Sequence, residues 1–361
     1  MRICAVIYGS LDTLTGGYLY DKKVVRHLRA AGHTVDIFSL QNRSYFRNVF
    51  HNWNGNLIEF ISDTKPDIVL IDELCHPSVC FVSGKISRKF GIPVLSIVHL
   101  LKTKMPGKKT ERWLASQLEP AFLRSMDGII AISRKTVDQV QELAGCEFPH
   151  IVAYPAGDRF PVQITEDQIR EKIRTSDKFR ILVLGNLTPR KNALAVLQAC
   201  RGFSAEDIHI TFAGDPDADI AYSKRLKKFI HKHSMESLVQ FSGSVRDPGK
   251  IADLLRTTHL LVLPSFAEGY PLVHVEAAGL GVPSIATTHS SVDELIEHGK
   301  NGYLADPRDI RGIRSYIESV LVDRAKLKDL SIHAYRSFEE HPTWEETGET
   351  VLHFLTNFTR E

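Results

Sequence analysis

Between residues 265 and 287 the chain reads "SFAEGYPLVHVEAAGLGVPSIAT", with two carboxylates, Glu268 and Glu276, eight positions apart in a stretch otherwise small and apolar. The run "HLLVLPS" before it has the form of a strand, "FAEGY" that of a loop, and residues 271 to about 279 that of a helix, with Pro271 at a first turn whose amide would be unpaired in any case. Such a helix start offers free backbone N–H groups and the positive end of a dipole to a phosphate or diphosphate. A carboxylate beside bound phosphate is repelled by it, so Glu268 and Glu276, the latter roughly 7–8 Å along the helix axis, are better suited to accept hydrogen bonds from hydroxyls on either side. A ligand with a diphosphate at its centre and a sugar at each end meets both demands, which describes a nucleotide sugar. For an isolated pair of glutamates the bland outcome, a loop charge and a surface helix residue, is commoner, so the reading rests on the rest of the chain.

The elements able to position these groups alternate from end to end. Short β-branched or apolar runs at 3–7, 34–39, 68–71, 93–98, 128–132 and 150–154 are separated by amphipathic stretches, the first at about 18–31 and closed by Gly32. After the charged segment "FPVQITEDQIREKIRTSDKF" the rhythm restarts, with runs at 180–184, 209–213, 239–242, 260–263 and 283–286. This alternation predicts an α/β protein of two doubly wound, parallel-sheet domains joined near residue 160. Ligand-binding loops then belong at the carboxyl ends of the strands. The last helix, 344–359, is amphipathic and is placed to cross back onto the first domain.

Composition bounds the partners. The 361 residues suffice for two cores, and 43% hydrophobic with 24% charged residues is ordinary for a globular chain. A formal charge of +2 gives no reason to expect nucleic acid. The cysteines, Cys4, Cys75, Cys80, Cys146 and Cys200, are odd in number, scattered and without CxxC pairs, which argues against a zinc site and a secreted disulfide framework. No apolar run approaches the roughly 20 residues of a membrane span, and "MRICAVIYGS" reads as a first strand rather than a signal peptide. A cytoplasmic location is the expectation, and the sequons at Asn42, Asn186 and Asn357 are then coincidental.

The stretch "EGYPLVHVEAAGLGVPSIAT" closely resembles the signature of the large retaining glycosyltransferase family of the GT-B type, family 4 or glycosyl transferases group 1. The resemblance runs over almost the whole chain: "TGGYLYD", "RAAGHTVDIFSL", "KPDIVLID", "IPVLSIVH", "MDGIIAIS" and "YPAGDRF" follow in the family's order, then "ILVLGNLTPRKN", "ITFAGDPD", "VQFSGSV" and "VDELIEHGKNGYLADP". Each is weak alone, and their order carries the assignment. It implies two Rossmann-like domains facing a cleft. Residues 1–160 would serve the acceptor, with a C-terminal helix of about 344–361 packed back on them, and 161–343 would hold the nucleotide-sugar donor.

The resemblance also implies roles. Glu268 is expected to hold hydroxyls of the transferred hexose and Glu276 the ribose, while Lys191 matches the lysine that neutralises the donor diphosphate. A departing diphosphate needs a cation as the oxocarbenium-like sugar leaves it. Gly269, Tyr270 and Leu272 complete the loop and helix start beside the diphosphate. Where the family usually has an arginine directly after the glycine of "LGN", this chain has the uncharged Asn186, and Arg190 is the candidate for the missing charge. His99, closing "VLSIVH", falls at the position beside the transferred sugar, although a lone histidine after a strand is more often structural. Gly16 and Gly17 resemble a glycine-rich loop that brings backbone to the phosphates and acceptor at positive φ, a plain strand-to-helix turn being as good a reading of Gly17.

Front-face attack with retention is implied, the leaving phosphate taking the acceptor's proton, and no acidic residue is well placed for a covalent glycosyl enzyme. Asp215, Asp217 and Asp219 in "GDPDAD" mimic the metal-binding aspartates of a different transferase fold but read as a solvated turn. Neither a metal nor a cofactor is expected besides the donor, a UDP-, GDP- or ADP-sugar. Two departures bear on donor identity: Ser290 and Ser291 stand where the family often has glycines, and Pro271 replaces a second glycine of the loop, removing one amide. A hydroxyl acceptor, in a glycan, a lipid-linked sugar or a small molecule, is implied without further detail.

The basic stretch 102–112, with Lys102, Lys104, Lys108, Lys109 and Arg112 and with Trp113 beside it, suits an anionic membrane at its inner face or a phosphorylated acceptor as well as it suits a mobile basic loop. Arg43 and Arg47 form a second such group. The rivals are a nucleotide-sugar epimerase of similar fold, which would consume donor without acceptor, and a non-catalytic nucleotide-sugar-binding protein.

Overall fold

A computed structural model describes residues 1–13, 15–105, 107–160, 164–288 and 290–359. Residues 161–163 of the joining segment, Pro106 of the basic stretch and His289 of "HSSVDE" lie outside them. The chain forms two units, Met1–Pro155 with Pro342–Glu361, and Ala156–His341.

Six parallel strands build the first unit: β1 (Arg2–Tyr8), β2 (Thr34–Leu40), β3 (Ile68–Asp72), β4 (Val94–Val98), β5 (Gly128–Ala131) and β6 (His150–Val152). They lie in the order β2-β1-β3-β4-β5-β6. Every residue of β3 ("IVLID") and β4 ("VLSIV") is buried because helices cover both faces, which is why these strands read as unbroken apolar runs. The final helix, Trp344–Phe358, opens with a capping box between Thr343 and Glu346 and packs on the first helix, Gly16–Ala30. Trp344 meets Tyr20 edge-on at 5.9 Å, and Thr347 donates its hydroxyl to the Tyr154 carbonyl at 2.7 Å.

The second unit has β7 (Phe179–Leu184), β8 (Ile208–Ala213), β9 (Val239–Gly243), β10 (Leu260–Leu263), β11 (Ser284–Thr287) and β12 (Gly302–Ala305), again all parallel. Their order is β12-β11-β10-β7-β8-β9. Sequence patterning does not find β12, whose three apolar residues follow a glycine. A Cβ on Gly302 would stand 2.7 Å from the Ser284 carbonyl oxygen, so glycine is what lets this strand close on β11. The first helix begins at Gly16, two residues before its expected start, and among the described residues no helix is long and apolar enough to cross a membrane.

A close backbone approach joins the ends of β7 and β8. A Cβ on Gly214 would lie 1.9 Å from the carbonyl oxygen of Gly185, and Gly185 itself has φ of +144°. Gly214→Ala is therefore expected to lower stability by about 1–3 kcal/mol through forced displacement of that carbonyl, read as a drop in the urea unfolding midpoint.

Candidate functional site

Strand order in the second unit reverses between β7 and β10: β8 and β9 extend from β7, β11 and β12 from β10. Loops leaving the carboxyl ends of these neighbours go to opposite faces and leave a crevice, where open α/β sheets bind ligands. The loop after β7 carries Arg190 and Lys191, and the loop after β10 carries Glu268, Gly269 and Tyr270.

Residues Pro189–Lys191 form one 3₁₀ turn, which Asn192 ends at φ of 54°. The buried Asn192 amide donates to the carbonyls of Pro264 (3.1 Å) and Pro307 (2.7 Å), fastening the turn to the end of β10. Arg190 adds two bonds, accepting at its carbonyl from the Phe266 N–H (2.8 Å) and donating from its guanidinium to the Ala267 carbonyl (2.8 Å). The Glu268 carboxylate is thereby set between Lys191 Nζ at 2.7 Å and Arg190 Nη1 at 2.9 Å, with 11% of its side chain exposed. Burial alone would push this carboxyl up, but Lys191 and then Arg190 outweigh it and hold it down at about 2.

The helix Leu272–Ala278 follows directly, with Pro271 just before its first residue rather than within its first turn. Glu276 is its fifth residue and is buried. It accepts at Oε2 a hydrogen bond from Arg159 Nη2 at 3.0 Å, with Arg159 Nε in ion contact with Oε1 at 2.5 Å. Burial outweighs this pairing and raises the carboxyl to about 7. "PAGDRF" comes this close because Gly157 presses on the helix: a Cβ there would stand 2.8 Å from Val275 Cγ1. His274, one turn before the end of the helix, is buried, and burial and then the charge of Lys191 push its imidazole down to about 3, keeping it neutral. Tyr270 stacks on His341 at 5.9 Å, and the Gly269 carbonyl accepts from the Ser291 N–H at 3.1 Å, so "HSSVDE" supports the loop without its glycines.

In the first unit the order reverses between β1 and β3. His99, just past β4, donates from Nε2 to Asp21 Oδ1 at 2.9 Å, with Asp72 at the end of β3 beside them and all three buried. Burial pushes the imidazole down, yet Asp21, Asp72 and Glu73 outweigh it and raise it to about 9, so His99 is an imidazolium at neutral pH. Gly16 and Gly17 correct the expectation of a loop at positive φ. They are the first two residues of the Gly16–Ala30 helix, neither has positive φ, and Thr15 caps them. What Gly17 supplies is room, since a Cβ would stand 3.3 Å from His99 Cδ2.

Other expected residues lie apart from these clusters. Asn186 is exposed, and its side-chain oxygen accepts from the Asp215 N–H at 3.4 Å. Asp215 and Asp219 each accept backbone N–H groups as caps of the turn and helix that follow. In the basic stretch, Lys102 pairs with Glu111 at 3.5 Å and Lys104 with Glu142 at 3.0 Å, while the Glu119 carboxylate accepts from the backbone N–H groups of Lys102 and Thr103. Two buried triads, Asp21–Asp72–His99 and Glu73–His76–Glu119, have potential metal-ligand atoms within 4.8 Å of one another. Their carboxylates and imidazoles already pair among themselves, at 2.9 Å for His99 with Asp21 and 2.9 Å for His76 with Glu73. Sequence reasoning passed over Asp21, Arg159, Asn192 and His274. A buried glutamate requires a cation, and "GDRF" held the only visible hint of one.

Residues 165–337 match the family described as glycosyl transferases group 1. Mannosylfructose-phosphate synthase of Agrobacterium fabrum is 25% identical over 354 residues, covering 83% of this chain and 77% of that protein. D-inositol 3-phosphate glycosyltransferase of an Arthrobacter species is 26% identical over 271 residues, 71% of this chain and 63% of the relative. Among solved structures, sucrose-phosphate synthase from Thermosynechococcus elongatus superposes with a TM-score of 0.82 at 17% identity, over 99% of this chain and 98% of the other. Anabaena Alr3699/HepE in complex with UDP and glucose gives 0.76 at 18% identity, over 99% and 100%.

Two outcomes test the electrostatics. Glu268→Gln leaves two cations facing each other and should cost about 3 kcal/mol at neutral pH. Because the folded carboxyl sits below its ordinary value of 4.5, the advantage of the native protein over this variant should be full above pH 4.5 and shrink as pH falls toward about 2. Urea unfolding across pH reads both. Asp21→Asn should bring the His99 titration down from about 9 toward neutrality, followed by NMR of the imidazole carbons; an unmoved midpoint would show that Asp21 is not the principal partner.

Proposed function

This chain belongs to the GT-B glycosyltransferases, with its group 1 segment at residues 165–337, and on that premise we propose that it moves a hexosyl group from a nucleoside diphosphate sugar to a hydroxyl acceptor with retention of configuration. The observation that carries the proposal is the Glu268 carboxylate held between Lys191 and Arg190 at the strand-order reversal of the second unit. Two ordered cations at such a crevice suit a diphosphate, and the carboxylate that orders them suits the hydroxyls of the sugar attached to it.

On this reading Lys191 and Arg190, with the backbone amide of Leu272, take up the charge of the diphosphate as its bond to the sugar carbon breaks. The acceptor oxygen bonds to that carbon on the same face, and the acceptor's proton passes to the departing phosphate oxygen, so that charge and atoms balance without a protein nucleophile. Glu268 is then free to accept from hexose hydroxyls. Glu276, penalised by burial and compensated by Arg159, gains when ribose hydroxyls donate to it. The His99 imidazolium, fixed by Asp21, is the group we assign to positioning the transferred sugar. The reading calls for no cofactor besides the donor. The UDP and glucose named for the Anabaena neighbour, the mannosylfructose phosphate that one relative is named for making and the D-inositol 3-phosphate that another is named for glycosylating support transfer from a nucleotide sugar to a hydroxyl.

A thermal-shift series with UDP, GDP, ADP and their sugar conjugates tests the donor site. One nucleotide family should raise the midpoint, by about 2.7 kcal/mol of stabilisation at a hundredfold excess over its Kd. Glu276→Ala should weaken that nucleotide about tenfold or more with the fold intact, and Lys191→Met should cut kcat roughly a hundredfold. No shift with any nucleotide would overturn the proposal, and donor consumed without an acceptor would point to the epimerase instead.

A further inference from the structure

The first unit carries a second feature that the transfer reaction does not use. Phe50, Trp53 and Phe81 are 72%, 68% and 43% exposed. Their rings adjoin, with centroids 6.4 Å apart for Phe50 and Trp53 and 5.7 Å for Trp53 and Phe81. Single exposed apolar side chains are ordinary, whereas three adjoining aromatic rings left in water mark an interaction surface. The patch is also held in place. Trp53 closes the turn Val49–Trp53, and Phe81 lies between the helices His76–Val79 and Ser83–Phe90. The buried Asn52 side chain fastens one to the other, donating to the carbonyls of Val49 (2.8 Å) and Pro77 (2.8 Å) and accepting from the Phe81 N–H (2.9 Å).

Charge in the groove beside the rings has one sign. A groove of about 490 Å³ is lined by Trp53, Phe81, Gly84, Lys85 and Arg88 among others, and its charged lining residues are the two cations. The turn Val49–Trp53 and the helix Ser83–Phe90, which flank the rings, contain no Asp or Glu, and the helix carries Lys85, Arg88 and Lys89. A second copy of the chain meeting this face symmetrically would oppose like charges. A phosphate-rich bilayer surface complements both features, since aromatic rings settle at the boundary of headgroups and acyl chains and cations pair with anionic headgroups.

We propose that the face formed by Phe50, Trp53 and Phe81 with Lys85 and Arg88 docks on an anionic lipid bilayer. It is a different surface from the 102–112 stretch, where Lys102 and Lys104 are engaged by Glu111 and Glu142. The docking stands independently of donor chemistry. It would keep the first unit beside acceptors that reside in or on a membrane.

Sedimentation of the full chain with vesicles tests this, using phosphatidylcholine alone or phosphatidylcholine doped with phosphatidylglycerol. Binding should appear with the doped vesicles and fall as salt rises. Lys85→Ala with Arg88→Ala should weaken it roughly 25-fold, at about fivefold per cation. Phe50→Ser with Trp53→Ser should abolish it, and unfolding midpoints unchanged in both variants would locate the loss at the surface. No binding to doped vesicles, or binding that both variants keep in full, would overturn the proposal. A concentration-dependent dimer that the aromatic variant loses, without vesicle binding, would assign the patch to a second copy of the chain.

Discussion

A carboxylate that is nine-tenths removed from water and still charged needs partners strong enough to outweigh its lost hydration, and Glu268 finds two, Lys191 and Arg190, on a loop 77 residues earlier in the chain. Much of the second unit exists to make that meeting possible. The two loops are neighbours because β7 and β10 are the central pair of the sheet. The Asn192 amide pins one loop to the end of the other's strand, and the paired glycines 185 and 214 let the chain turn away from β7 without obstruction. Remove the carboxylate and two cations are left facing each other in a partly buried crevice, a worse situation than either charge alone.

The first unit applies the same principle with opposite sign. There the buried charge is a cation, the His99 imidazolium, and acids on two other elements, Asp21 and Asp72, hold it. Again the residues converge where strand order reverses, and again a glycine clears the approach. A parallel sheet sends consecutive crossovers to one face until its order reverses, so the reversal is the one place where loop ends of distant sequence origin stand side by side without a helix between them.

The helix Leu272–Ala278 shows why the signature stretch is small and apolar around its carboxylates. Val275 and Ala277 pack into the core, while Gly157 and Phe338 lie against the helix, as the close approach of Gly157 to Val275 and of Gly279 to Phe338 shows. Glu276 and His274 are therefore held in a dry setting. An immobile, poorly hydrated carboxylate discriminates between donors of hydrogen bonds far better than one in water, because every unmade bond is left uncompensated.

The sequence by itself determined the α/β alternation and eleven of the twelve strands among the described residues, since a strand covered on both faces must be apolar throughout and "IVLID" or "LLVL" says so locally. It singled out Glu268, Glu276 and Lys191 only through the order of motifs along the whole chain, since a glutamate pair or a loop lysine taken alone reads as solvated charge. It could not place β12, whose four residues carry too little pattern, nor see that Gly16 and Gly17 open a helix. Local pattern says nothing of where Trp53 and Phe81 lie, and only the packed chain leaves them in water. Above all, the tertiary structure alone decided which charge answers which: Arg159 for Glu276 across 117 residues, Asp21 for His99 across 78. Periodicity and propensity are properties of neighbouring residues, whereas an ion pair depends on distance in space, and that distance is fixed only when strand order is.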